Sequence, residues 1–219
     1  LIGCSLLSLV STSSATVTLQ FTALFSGGIA SNFANNGATS GTDGMLWGII
    51  VDNNGDGFDT GNYLSTGLTI VNDKSATALS TASGLSDDVL FVSSTASSDT
   101  SAFSEGDFVT SGDNGSLFNM DALNIDSVSV GDSFGLIWFD STDITSSGTA
   151  VSVGDNYGFF TDASFILPAN GPSPIPFTTP FVGVDPVRTA NLAFVAVPEP
   201  SSTALLVLGS VALLLRRRR

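Results

Sequence analysis

The 219-residue chain has no histidine, a single cysteine, and only two basic side chains, Lys74 and Arg188, outside its final four residues. Without histidine there is no imidazole general base, no Ser-His or Cys-His nucleophile pair and no His-ligated zinc. A lone Cys4 forms no intrachain disulfide, so cross-links contribute nothing to stability. Between Thr16 and Leu215, 20 acidic residues face two bases, a balance of −18. A region so acidic is a poor partner for nucleic acid or anionic lipid. Glutamate is scarce too: 18 of the acids are Asp, and only Glu105 and Glu199 are Glu. Asp suits turns and oxygen-ligand ion sites, whereas Glu suits helices.

What is present points to strands. There are 23 Gly and 16 Phe, with abundant Ser, Thr and Val and no long helical periodicity before residue 201. This composition predicts an all-β fold, a single antiparallel β-sandwich or jelly-roll-like domain over residues 16–196. Thr16 to Phe25 alternates, with Val17, Leu19, Phe21 and Ala23 on one face, the period of a half-buried strand. Met45 to Val51 is a continuous apolar run, suited to a strand buried on both faces. Further strands are expected at Asn62 to Val71, Val89 to Ser93, Leu123 to Val130, Phe134 to Phe139, Val151 to Val153, Tyr157 to Thr161 and Asn191 to Val197. Val128-Ser-Val-Gly-Asp-Ser-Phe-Gly135 is echoed by Val151-Ser-Val-Gly-Asp-Asn-Tyr-Gly158, and each copy reads as a hairpin around a Gly-Asp turn. Asn170 to Pro180, with four prolines in eleven residues, reads as an ordered loop or strap. Trp47 and Trp138 lie inside apolar runs and are expected in the core.

Both ends of the chain read as delivery signals. Leu1 to Val10 is apolar and is followed by Ser13-Ser14-Ala15, small residues of the kind read by signal peptidase, so residues 1–15 are expected to be a signal peptide whose true start lies upstream. An alternative takes Leu1-Ile2-Gly3-Cys4 as a lipobox with Cys4 acylated. At the other end, Pro198-Glu199-Pro200 precedes thirteen residues, Thr203 to Leu215, drawn only from Ala, Leu, Val, Gly, Ser and Thr, and then Arg216, Arg217, Arg218 and Arg219. Residues 201–215 are expected to form one transmembrane helix. It is short against the ~20 residues a bilayer core requires, and snorkelling arginines and local thinning would cover the deficit. The arginine cluster, a cytoplasmic stop, places the acidic region outside.

Pro-Glu-Pro, a short apolar helix and a terminal arginine cluster, over residues 197–219, resemble the PEP-CTERM sorting signal of bacteria that make exopolysaccharide. The same tail resembles segments labelled ice-binding protein C-terminal, a label for the tail and not for an activity. The resemblance implies recognition and cleavage by a membrane-embedded exosortase and delivery to the cell surface. It covers about a tenth of the chain, and such tails are joined to many unrelated domains.

One segment of the domain carries chemistry of its own. In Asp52-Asn-Asn-Gly-Asp-Gly-Phe-Asp59, oxygen side chains at positions 1, 3 and 5 and Gly at 6 match the first half of an EF-hand-type calcium loop. Position 12 is Tyr63, which supplies no carboxylate. The candidate calcium ligands are Asp52, Asn54, Asp56, the Phe58 carbonyl and Asp59; the other reading is an Asp/Asn/Gly turn that binds nothing. The expected function is non-catalytic, a structural or adhesive protein of the cell surface or extracellular matrix whose partners include exopolysaccharide. The alternative is a polysaccharide hydrolase of sandwich fold using paired Asp residues. Ice or mineral binding would need a regular Thr array, and the Thr residues are scattered.

Overall fold

The computed structural model describes residues 17–21, 33–40, 42, 44–71, 75–95, 116–120, 128–169, 175–177 and 187–197. All are strand, turn or loop, with no helix among them. The strands are β1 (Val17–Phe21), β2 (Phe33–Ala34), β3 (Leu46–Asp52), β4 (Thr69–Ile70), β5 (Ala76–Thr81), β6 (Gly84–Thr95), β7 (Ser116–Met120), β8 (Ser133–Phe139), β9 (Thr149–Ala150), β10 (Asn156–Ile166), β11 (Ile175–Phe177), β12 (Arg188–Thr189) and β13 (Leu192–Ala193).

Six of them form one antiparallel sheet in the order β13-β10-β8-β3-β6-β5. β3 lies inside it with every residue buried, as an unbroken Leu-Trp-Gly-Ile-Ile-Val run requires, because both its faces must be covered. The odd-numbered side chains of β3, Trp47, Ile49 and Val51, pack with Phe91, Leu136, Trp138 and Phe165. Leu46 and Ile50 pack on the opposite side with Leu90, Ile137, Phe139 and Tyr157. Leu19 of β1, Phe33 of β2 and Ala190 join the first cluster; β1 lies between β11 and β7 in a separate three-stranded sheet. Tyr63, Leu68, Ile70, Ile144, Val151 and Phe194 fill the second.

The sheet curls until its two edges share a strap. Leu64 N–H donates to Ser80 O of edge strand β5 at 2.7 Å, while Val195, just past the other edge strand β13, donates to Tyr63 O at 2.9 Å and accepts from Ser65 N–H at 3.1 Å. Leu64 and Val195 pair in parallel. Tyr63 to Ser65 therefore satisfies backbone groups that two sheet edges would otherwise leave open.

Both tryptophans belong to the core. They face each other across the β3–β8 ladder and are each 1% exposed. Phe33 stacks on Trp138 at 3.9 Å, and Trp138 Nε1 donates to Ala34 O at 3.3 Å. The neighbouring strand makes room with Gly158, opposite Trp138 in the β10–β8 register; a Cβ there would lie 2.0 Å from the indole ring.

The internal echo is a repeated turn. In each copy the Ser N–H donates to the Asp Oδ2 three residues on, Ser129 to Asp132 at 2.6 Å and Ser152 to Asp155 at 2.7 Å. Each turn then docks on the adjoining chain by the same pair of bonds: Gly131 N–H to Leu167 O and Leu167 N–H to Asp132 O, Gly154 N–H to Phe194 O and Phe194 N–H to Asp155 O. Val128 and Val151 are buried, and Val130 and Val153 are exposed. The turns start β8 and β10 and do not close hairpins, a correction to the reading of each copy as strand, turn and strand.

Other strand expectations change as well. Asn62 to Val71 is the strap and a turn, ending in the two residues of β4; Val151 to Val153 is part of the echo turn, and Asn191 to Val197 contains only β13 and the Val195 bridge. Leu123 to Val130 lies outside the described residues except for its last three, which are loop. Within the Pro-rich segment, Ile175–Phe177 is a strand, parallel to β1. β12 and β2 form a second parallel pair, so the antiparallel expectation holds for the main sheet and not everywhere.

Candidate functional site

The loop after β3 begins with a buried carboxylate. Asp52, 3% exposed, accepts from Gly55 N–H at 2.8 Å and Gly57 N–H at 3.0 Å, and Asn54 Oδ1 accepts from Asp56 N–H at 2.8 Å. Gly55 and Gly57 have positive φ, 77° and 105°, a conformation that side chains with a Cβ resist. The loop thus wraps around Asp52, the local result of alternating Asp/Asn with Gly.

Asp52 and Asp56 come together, and a third carboxylate arrives from β6. Ligand oxygens of Asp52, Asp56 and Asp87 lie within 4.8 Å of one another. Asp87 Oδ2 also accepts from Asn54 N–H at 3.3 Å. Burial, followed by the charges of Asp56 and Asp52, pushes the Asp87 carboxyl above the usual aspartate range. Three carboxylates so close repel one another, and a hard divalent cation fits such an oxygen set.

Of the remaining candidates, the Asp59 carboxylate is engaged by β6. Asp59 Oδ2 accepts from Ser86 Oγ at 2.9 Å, and Asp59 N–H donates to Asp88 Oδ2 at 2.9 Å. The Phe58 ring packs against Phe159 with centroids 4.8 Å apart. Tyr63, at loop position 12, points its hydroxyl into the interior and donates to Asp88 Oδ2 at 2.6 Å. Asp88 is fully buried and, among the described residues, its Oδ1 has no partner. Burial pushes the Asp88 carboxyl up, against the Tyr63 and Asp59 bonds that favour its charged form. Burial and the bond to Asp88 also drive the Tyr63 hydroxyl far above its ordinary value. The tyrosine at position 12 therefore ties the loop to β6 instead of closing a ligand shell.

Asp87 was not among the ligands expected from sequence. Ser86-Asp87-Asp88 reads as the polar start of a strand, and only the β3–β6 register, which sets Asp52 opposite Asp88, brings Asp87 to the loop. No local spacing encodes that pairing.

The sorting motif Pro198, Glu199 and Pro200, the apolar residues 201–215 and Arg216 to Arg219 lie outside the described residues, as does the segment 1–15. Among the described residues no helix is long and apolar enough to cross a membrane. A family model for the PEP-CTERM protein-sorting motif matches residues 196–219. The chain carries a PEP-CTERM sorting signal. The signal implies export, processing by an exosortase and sorting to the cell surface. No curated protein matches the chain, and no solved structure matches it. The PEP-CTERM match begins at residue 196, one residue past Val195, whose backbone is held by the strap.

Proposed function

We propose that this is a non-catalytic protein of the cell surface or extracellular matrix, delivered by an exosortase and acting structurally or adhesively in an exopolysaccharide layer. The match of residues 196–219 to the PEP-CTERM motif carries the reading. Residues 201–215 hold the protein in the membrane until cleavage near Pro198-Glu199-Pro200, with Arg216 to Arg219 on the cytoplasmic side. Residues 16–196 form a β-sandwich in which the three-stranded sheet supplies the second layer; the presence of Leu19 in the core beneath β3 and β8 supports this. Asp52, Asp56 and Asp87 bind calcium and brace the loop that leads to the strap. A non-catalytic role is supported by the lack of histidine, which leaves no imidazole general acid or base.

The test is localisation of the full chain against a variant lacking residues 198–219 and one with Arg216 to Arg219 replaced by Ser, in hosts with and without the exosortase gene. Surface display of the full chain only where the exosortase is present supports the reading. Equal display of all three, or release of reducing sugar from the host polysaccharide, overturns it.

A further inference from the structure

The chain leaves the domain at one end of the main sheet. In the β10–β13 register Leu192 faces Tyr157 and Ala193 faces Asn156, so the C-terminal segment runs toward the start of β10, where the second echo turn sits. That turn is fastened to it, Gly154 N–H to Phe194 O at 2.9 Å and Phe194 N–H to Asp155 O at 3.0 Å. Around the exit the surface is apolar: Val153 of the turn is 62% exposed and Val197 48%, and Ala196 is exposed beside it. Ile144 to Gly154 and Thr189 to Val197 hold no charged side chain, in a region whose balance is −18. The acids that bracket the turn segment are engaged, Asp143 by Asn156 N–H and Nδ2 and Asp155 by Ser152 N–H. The other end of the sheet differs. There the first echo turn starts β8, and Asp52, Asp56 and Asp162 gather with Ser133 around a cleft. The seven residues of β8 set the two ends ~20 Å apart.

We propose that the end carrying Val153 and Val197 contacts lipid, seating the domain on a zwitterionic bilayer surface while the tail is uncut. The length of chain beyond it fixes the occupant. Val195 is held by the strap and the apolar run begins at Ser201, six residues on, so the tether reaches at most ~20 Å. Headgroups take up about 5–8 Å of that, half the difference between a ~30 Å core and a ~40–45 Å bilayer. The surface around the exit therefore faces lipid, and no such geometry places a second copy there. Valine side chains leave water on contact, and the tether holds them at high effective concentration, so a weak contact persists while the chain is anchored and lapses once it is cut. The acidic end lies farthest from the headgroups. The inference rests on the reading of residues 201–215 as the membrane anchor.

The experiment attaches a nitrobenzoxadiazole label at Ser152→Cys or Ser129→Cys, the matching positions of the two turns, in the full chain carrying Cys4→Ser. The protein is reconstituted in phosphatidylcholine vesicles with a nitroxide on some of the headgroups. Both serines are exposed, and each turn uses the serine's backbone and not its hydroxyl, so melting temperatures should be equal. The nitroxide should quench the Ser152 label and leave the Ser129 label bright. Val153→Asp should abolish the quenching at Ser152, Val130→Asp should not, and replacing half of the lipid by phosphatidylglycerol should lessen it. Equal quenching of both labels, indifference to Val153→Asp, or stronger quenching with phosphatidylglycerol overturns the inference. So does protection of the Ser152 label that follows protein density instead of the nitroxide, as a second copy would give. Flotation of the chain with the vesicles reads the anchor separately: failure to float removes the anchor and the contact together, whereas flotation with an unquenched Ser152 label removes the contact alone.

Discussion

Replacing Gly158 by Ala tests the packing of the core with one methyl group. Its Cβ would sit 2.0 and 2.1 Å from Trp138 Cε2 and Cζ2 and 2.5 Å from Nε1, against ~3.5–4.0 Å for ordinary carbon contacts. Either the indole or the β10 backbone must then move by more than 1 Å, on the order of the contact deficit. The indole is not free to do so, because Phe33 stacks on it at 3.9 Å and Ala34 O holds its Nε1. Over-packing costs ~1–3 kcal/mol where neighbours can yield, so the upper end, about 3 kcal/mol, is expected. For a domain of this size that lowers the melting temperature by roughly 6–12 °C. The clash is with the indole ring, and Trp138→Phe, which keeps an aromatic stack but removes the offending atoms, should bring the cost of Gly158→Ala below about 1 kcal/mol in a double-mutant cycle. Urea unfolding followed by tryptophan fluorescence measures all four corners. An equal cost of Gly158→Ala in both backgrounds would refute the steric argument.

The chain's two tyrosines are both buried, so absorbance at 295 nm reads them alone; burial raises Tyr157 to about 12 and Tyr63 further. Folded pKa values above the unfolded ~10 mean that their stabilisation is complete below pH 10 and is lost as pH rises toward 12, about 3 kcal/mol from Tyr157; no tyrosinate should appear before unfolding, and titration of folded protein near pH 10 would contradict the burial. Tyr63→Phe leaves Asp88 with one fewer partner and should cost about 1–3 kcal/mol, read as a drop in the urea midpoint; no change would show the bond to be dispensable. In calcium titrations Asp87→Asn should weaken binding at least about tenfold and Asp59→Asn should not, whereas the reverse order would restore the ligand set expected from spacing. Asp132→Ala and Asp155→Ala should cost alike, about 1 kcal/mol each, and add in the double variant, since the two turns start neighbouring antiparallel strands from opposite ends; strongly unequal costs in chemical unfolding would show that the echo is not a repeated device.

The parts of the fold that could be read from sequence are those where burial alone selects the conformation. Met45 to Val51 and Phe134 to Phe139 are apolar on both faces, and both became inner strands. Tyr63, Leu64, Leu68 and Ile70 are also buried, which gave Asn62 to Val71 the pattern of a strand, but the chain turns at Gly67, φ 76°, the backbone bonds before that turn reach Ser80 and Val195, and only Thr69 and Ile70 enter a ladder, with β9. Burial periodicity cannot tell a strap over a core from a strand within one. β5, Ala-Thr-Ala-Leu-Ser-Thr, has little strand signal of its own and forms because β6 supplies the partner. At the candidate cation site, Asp52 and Asp56 were legible because Gly and Asn fix the loop locally. Asp87 was not, because cross-strand register is a non-local property.

The strap also limits how far the tail can reach. Val195 is bonded on both its N–H and its C=O, and Pro198 is three residues further along, so the processing motif begins within ~10 Å of the folded surface even when fully extended. A membrane-embedded peptidase that acts there must work with the folded domain pressed close to the bilayer. In the proposed tethered state the domain's own negative charge would oppose anionic headgroups, and cutting the chain would let it leave.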